Sequence, residues 1–151
     1  MKFSLLLAGL ALLSLGACRT YPDQVSDLRF PVPTGDIARG QVAFQELGCV
    51  QCHSVKGVTL PRPGSTPPAR VELGGELTHA KTYGDLVSSI INPQHVISER
   101  YLEQFPPPAR RDVDSSPMYM KPEMKVTQLI DIVAFLNSRY TLLPGYTEYY
   151  Y

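Results

Sequence analysis

An all-α domain of three main helices joined by long loops is the fold this 151-residue chain predicts. Three observations predict it. Three segments carry apolar residues at helical spacing, no run of alternating β-branched residues offers a strand, and Cys49-Val50-Gln51-Cys52-His53 follows directly on the first helical segment. The pentapeptide is a C-x-x-C-H, the attachment signature of c-type haem. In one helical turn the thiols at i and i+3 can each form a thioether with a haem vinyl group, and the adjacent imidazole of His53 supplies one axial ligand to the iron. The long loops would then wrap around one covalent haem c. A redox-active dithiol, a structural disulfide and half of a zinc site are the other readings of these residues. The dithiol belongs beside a βαβ pattern that this sequence lacks, and a closed zinc site needs four ligands where the remaining cysteine is Cys18.

Residues 1–17 have the layout of a secretory signal: Met1-Lys2, an apolar run from Phe3 to Leu15, then Gly16-Ala17 ahead of Cys18. A run of about a dozen residues falls short of the roughly 20 that a membrane-spanning helix needs. Leu15-Gly16-Ala17-Cys18 resembles the bacterial lipobox, in which cleavage before the cysteine is coupled to lipid attachment on its sulfur. An ordinary signal peptide with a chance cysteine is the alternative. Arg19 in the next position resembles lipoproteins passed on to the outer membrane. With Cys18 acylated and Cys49 and Cys52 bonded to haem, all three cysteines are used and no disulfide remains. Cleavage removes one of the 14 basic residues, Lys2, and none of the 14 acidic ones, so the mature chain is nearly neutral. No basic stripe points to nucleic acid, and no block of like charge to a charged tail.

Residues 18–33 form the lipidated N-terminus and a tether, in which Arg19 to Pro33 contains three prolines and no sustained period. Fully extended, such a tether reaches about 50 Å; packing of Leu28, Phe30 and Val32 on the domain is the other reading. Residues 34–140 are the domain. Its first helix is Asp36 to Leu47, where Ile37, Gly40, Phe44 and Leu47 recur at helical spacing, Thr34 or Asp36 caps the start and Gly48 ends it. Glycine inside a helix costs about 1 kcal/mol relative to alanine, which close approach of another helix at Gly40 would offset. A second helix runs from Tyr83 to Ile91, capped by Thr82 and stopped by Asn92-Pro93. The third, Val126 to Arg139, has an apolar stripe of Leu129, Ile132, Val133, Leu136 and Tyr140. Ser54 to Lys81 and Gln94 to Lys125 are long Pro- and Gly-rich loops, which a compact domain tolerates when a haem gives them something to pack on.

At these residues the chain resembles a single-haem class I cytochrome c of the bacterial lipoprotein type. The resemblance spans Thr34 to Tyr140 and rests on Gly40, Phe44, the C-x-x-C-H and the closing run Leu129 to Leu136. It implies that the first and last helices cross at Gly40, with Phe135 packed there. Gly74-Gly75-Glu76-Leu77 is similar to the family's G-P-x-L turn below the haem, with Gly75 in place of the proline, and so leaves open which carbonyl orients His53. Ile91-Asn92-Pro93-Gln94-His95 also looks like a subset of bacterial cytochromes, without a chemistry attached to it. In the family a methionine of the loop before the last helix is the distal ligand. Counting back from Ala134-Phe135-Leu136, Met118 falls at that place, although it follows a proline where the family more often has one after the ligand. Met120 is the second candidate and a histidine, His79 or His95, the third; unused methionines fill gaps. Arg100, Tyr101, Arg110 and Arg111 are candidates to hydrogen-bond haem propionates, against a plain reading as solvated loop residues.

With both axial positions filled by protein, no site stays open for a substrate, so the resemblance implies one-electron transfer. The expectation is a membrane-tethered periplasmic electron carrier, not an enzyme, working between a redox protein donor and acceptor. It takes no small-molecule substrate and binds no nucleic acid. A haem c subunit of a larger dehydrogenase or oxidase complex is the first alternative, and the tether argues against it. A gas sensor or peroxidase is the second, and the methionine-rich loop argues against that. Residues 141–151 are a tail with four tyrosines, read as a docking segment or a frayed end.

Overall fold

The computed structural model describes residues 33–61, 64, 69–77 and 82–144. The signal segment, Cys18 and the tether through residue 32, His79, and the tail from residue 145 lie outside them. Helix α1 (Ile37–Glu46) starts where the sequence offers a cap, the Asp36 carboxylate accepting the Arg39 N–H at 2.8 Å. Gly48, with φ +71°, turns the chain out of it. Helix α2 (Tyr83–Ile91) opens on a reciprocal box: the Thr82 N–H donates to the Asp85 carboxylate at 2.8 Å, and the Asp85 N–H to the Thr82 hydroxyl at 3.1 Å. A one-turn helix α3 (Glu99–Leu102) follows, and α4 (Val126–Asn137) carries the predicted apolar stripe.

Helices α1 and α4 meet at glycines. A Cβ on Gly40 would run into the carbonyl oxygen of Asp131 and lie 2.8 Å from the Phe135 Cβ. One on Gly35 would strike the Ile130 carbonyl and come within 2.8 Å of the Ala134 Cβ. Only hydrogen at these positions lets the two backbones approach so closely, which is what offsets the helix-breaking tendency of Gly40. The core gathers around this crossing. Phe44, Ile132, Val133 and Phe135 are fully enclosed, and the Phe44 and Phe135 rings pack edge to face with centroids 5.7 Å apart.

The crossing also has a polar clasp. Asp131, only 7% exposed, accepts the backbone N–H of Asp36 at 2.7 Å and the Arg39 guanidinium through Nε at 2.9 Å and Nη2 at 3.3 Å. The hydrogen-bonded Arg39 guanidinium first, and then the Asp36 N–H, hold the Asp131 carboxyl below the usual carboxylate range. A carboxylate whose pKa falls on folding adds stability above its unfolded pKa, near ~3.9, and loses it as pH drops through the folded one. Asp131→Asn is therefore expected to melt several degrees below the wild type at pH 7, with the gap narrowing from about pH 4 downward. Thermal melts across pH 3–7 read this directly; a gap that stays constant to pH 3 would mean that the charge adds nothing.

The all-α expectation does not hold. Four strands of three residues form two parallel ladders among the described residues. Strand β1 (His53–Val55) pairs with β2 (Val71–Leu73) in the register His53↔Val71 and Val55↔Leu73. Strand β3 (Gly75–Leu77) pairs with β4 (Tyr140–Leu142), Gly75↔Tyr140 and Leu77↔Leu142. The domain is mixed, with α3 as a fourth α-helix and two small ladders in place of featureless loops. The described residues of the segment Ser54 to Lys81 include β1 to β3, and Gln94 to Lys125 contains α3 and a 3₁₀ turn at Ala109–Asp112. Three residues are too few to display the alternation that marks a strand, and each partner lies far off in sequence, so period alone conceals them. Gly74 and Gly75, with φ +84° and +92°, form the break at which the chain leaves β1 and joins β4.

Candidate cofactor site

The left-handed Gly48 launches a 3₁₀ turn, Cys49–Gln51, closed by hydrogen bonds from the Gln51 N–H to the Gly48 carbonyl at 3.0 Å and from the Cys52 N–H to the Cys49 carbonyl at 3.2 Å. With three residues per turn, side chains at i and i+3 eclipse, so Cys49 and Cys52 lie on one side of the chain. Both are free thiols, half-buried. The chain then straightens into β1, whose first residue is His53. The His53 Nδ1 lies 3.2 Å from the Val71 carbonyl oxygen, and the Phe44 ring packs 6.4 Å away, centroid to centroid. A carbonyl only accepts, so Nδ1 carries the proton and Nε2 keeps its lone pair for a metal.

Burial lowers the His53 pKa, and the Val71 carbonyl opposes that shift more weakly. The neutral ring, the form that ligates, is therefore favoured. Burial likewise pushes the Cys49 thiol up, with Lys121 pulling it down by less. A raised thiol pKa is the opposite of what activates a thioredoxin-like dithiol.

The charge of Lys121, in the methionine loop, acts on the Cys49 thiol. Lys121 donates to the Tyr119 hydroxyl at 3.1 Å and sits 4.6 Å over that ring. Met118 is half-buried, Met120 is 47% exposed, and Met124 packs against the core cluster that Cys49 and Val50 also touch. His95 is exposed, with Nδ1 2.6 Å from the Asn92 carbonyl. Arg100 donates to the carbonyls of Glu72 at 2.6 Å and Gly74 at 3.2 Å, bracing β2. Arg110 donates to the Phe105 carbonyl at 3.0 Å, Tyr101 packs edge-on against Phe105, and Arg111 is exposed.

Two partners went unseen in the sequence. The carbonyl facing His53 belongs to Val71, three residues ahead of the Gly74–Leu77 turn, and Gln94 binds the loop of Met118. A carbonyl leaves no mark on residue type, so the first had no signal beyond Val71 and Leu73 flanking one exposed position. Taken as donors, two thiols three positions apart, a neutral imidazole with Nε2 free and the thioethers of the loop before α4 are of the kinds that a haem c takes. Among the described residues no three His, Cys, Asp or Glu gather as a metal-binding cluster, and no helix is long and apolar enough to cross a membrane. A groove of about 760 Å³ beside the Arg39–Asp131 clasp, lined by Ala38, Val42 and Thr127 among others, includes none of these donors. No family model matches the chain, and neither a curated protein nor a solved structure matches it.

Proposed function

We propose that this protein is a monohaem c-type cytochrome carrying single electrons between partner redox proteins. The observation that supports it most is His53, placed directly after two thiols on one side of a 3₁₀ turn and held by the Val71 carbonyl with Nε2 free. A haem c bound here would supply reversible one-electron chemistry. Cys49 and Cys52 would hold it by thioether bonds, and His53 and Met118 would ligate its iron. Filling both positions excludes water and substrate, which is what a carrier needs and a peroxidase or gas sensor does not. Lipid on Cys18 keeps the chain at a membrane facing the periplasm, where haem c is attached.

Expression of the full chain in a bacterial host that matures c-type cytochromes tests this. The protein should keep haem stain through denaturing electrophoresis, lose it in the Cys49→Ala, Cys52→Ala double variant, and bind carbon monoxide only slowly when reduced. Haem that leaves the wild type in acidified organic solvent would sink the attachment. Rapid carbon monoxide binding would favour a sensor or peroxidase, and constant co-purification with a dehydrogenase or oxidase a fixed subunit.

A further inference from the structure

The stretch after α2 reaches across to the loop of Met118. There the Gln94 amide makes three hydrogen bonds to one short piece of backbone. Its Nε2 donates to the Ser116 carbonyl at 2.9 Å and the Met118 carbonyl at 3.1 Å, and its Oε1 accepts the Ser116 N–H at 2.9 Å. The Ser116 hydroxyl then accepts the Met118 N–H at 3.1 Å. Both backbone groups of Ser116 and both of Met118 are thus satisfied in a segment that belongs to no helix or strand. Gln94 is itself well anchored. Pro93 before it is buried and fixes φ, and the His95 N–H after it donates to the Asn92 carbonyl at 3.1 Å.

We propose that Gln94 is a positioning residue that holds Met118 in place as the distal ligand. The inference rests on reading Met118 as that ligand. A thioether is a neutral ligand on a flexible side chain, and each return of its sulfur to the iron requires its loop to be ordered again. A side-chain amide that mimics a strand partner removes most of that ordering beforehand, as preorganisation does in any binding site. The three bonds of Gln94 fall on the segment that ends at Met118.

The test uses the haem-loaded full chain. In Gln94→Leu the weak long-wavelength sulfur-to-iron band of the oxidised form should fade. Carbon monoxide should bind the reduced form about tenfold faster, the change that losing one or two ordinary hydrogen bonds amounts to. Haem stain and far-UV circular dichroism should stay as in the wild type, since Cys49, Cys52, His53 and the helices are untouched. Gln94→Glu, which keeps the acceptor for Ser116 but sets a negative charge against two carbonyls, should move both readouts the same way. It serves as the second variant should the leucine protein fail to accumulate. Met118→Ala is the reference, expected to abolish the band. A band lost in Met118→Ala but unchanged in both Gln94 variants overturns the positioning role and leaves the ligand standing. A band that survives Met118→Ala and disappears in Met120→Ala overturns the ligand reading, and the role of Gln94 with it.

Discussion

Gly40→Ala is expected to destabilise the domain by at least about 2 kcal/mol, seen as a melting temperature lowered by roughly 10 °C or more. On an exposed helix the same change would help by about 1 kcal/mol, because alanine is the better helix former. Here the added methyl meets the Asp131 carbonyl and the Phe135 Cβ rather than solvent. Backbone cannot swing aside as a side chain does, so α4 as a whole must move, dragging Phe135 and Ile132 from the core. Overpacking commonly costs about 1–3 kcal/mol, and a clash with backbone belongs at or beyond the upper end. Urea or thermal unfolding of the alanine variant decides it. A variant as stable as the wild type would show that the helices do not cross at this glycine.

Phe44→Ala is expected to cost about 3–5 kcal/mol, the usual range for emptying a buried aromatic site. The ring is 2% exposed and packs with the rings of both Phe135 and His53. Its removal should thus do two things that a remote core deletion would not do together. Unfolding midpoints should drop and, on the proposed reading of His53 as a haem ligand, the absorption spectrum of the haem-loaded protein should change. Phe44→Leu, which refills most of the volume, should recover much of the stability. A large loss of stability with no change at the iron would confine Phe44 to the core.

Where structure is local, the sequence displayed it. Asp36 and Thr82 as caps, the stop at Pro93 and the stripe of α4 all depend on residues within a turn or two of each other, and α1, α2 and α4 lie at the expected places. Gly40 was legible too, because a glycine inside a helical pattern demands a reason. The ladders were not. Strand β1 is three residues long and starts within the C-x-x-C-H, and its pairing depends on Val71, whose identity says nothing of its carbonyl. The all-α expectation failed at that point. Of the site, the thiols and His53 carry a spacing that only a few chemistries need, whereas the hold of Gln94 on Ser116 and Met118 spans more than twenty positions and uses an ordinary amide.

The clasp between α1 and α4 has a bearing on time as well as on stability. Asp36 and Arg39 find Asp131 across 95 and 92 positions of chain, and closing so long a loop comes late in a folding search. Until α4 arrives, the face of Gly35 and Gly40 has no partner, and the thiols just beyond α1 sit on a segment whose nearest tertiary restraint is the ladder to Val71, 18 positions on. Any chemistry that modifies Cys49 and Cys52 meets a more open chain before the helix pair closes than after it. Slowing the closure of the helix pair would prolong that open state, and hastening it would leave less time for such a modification.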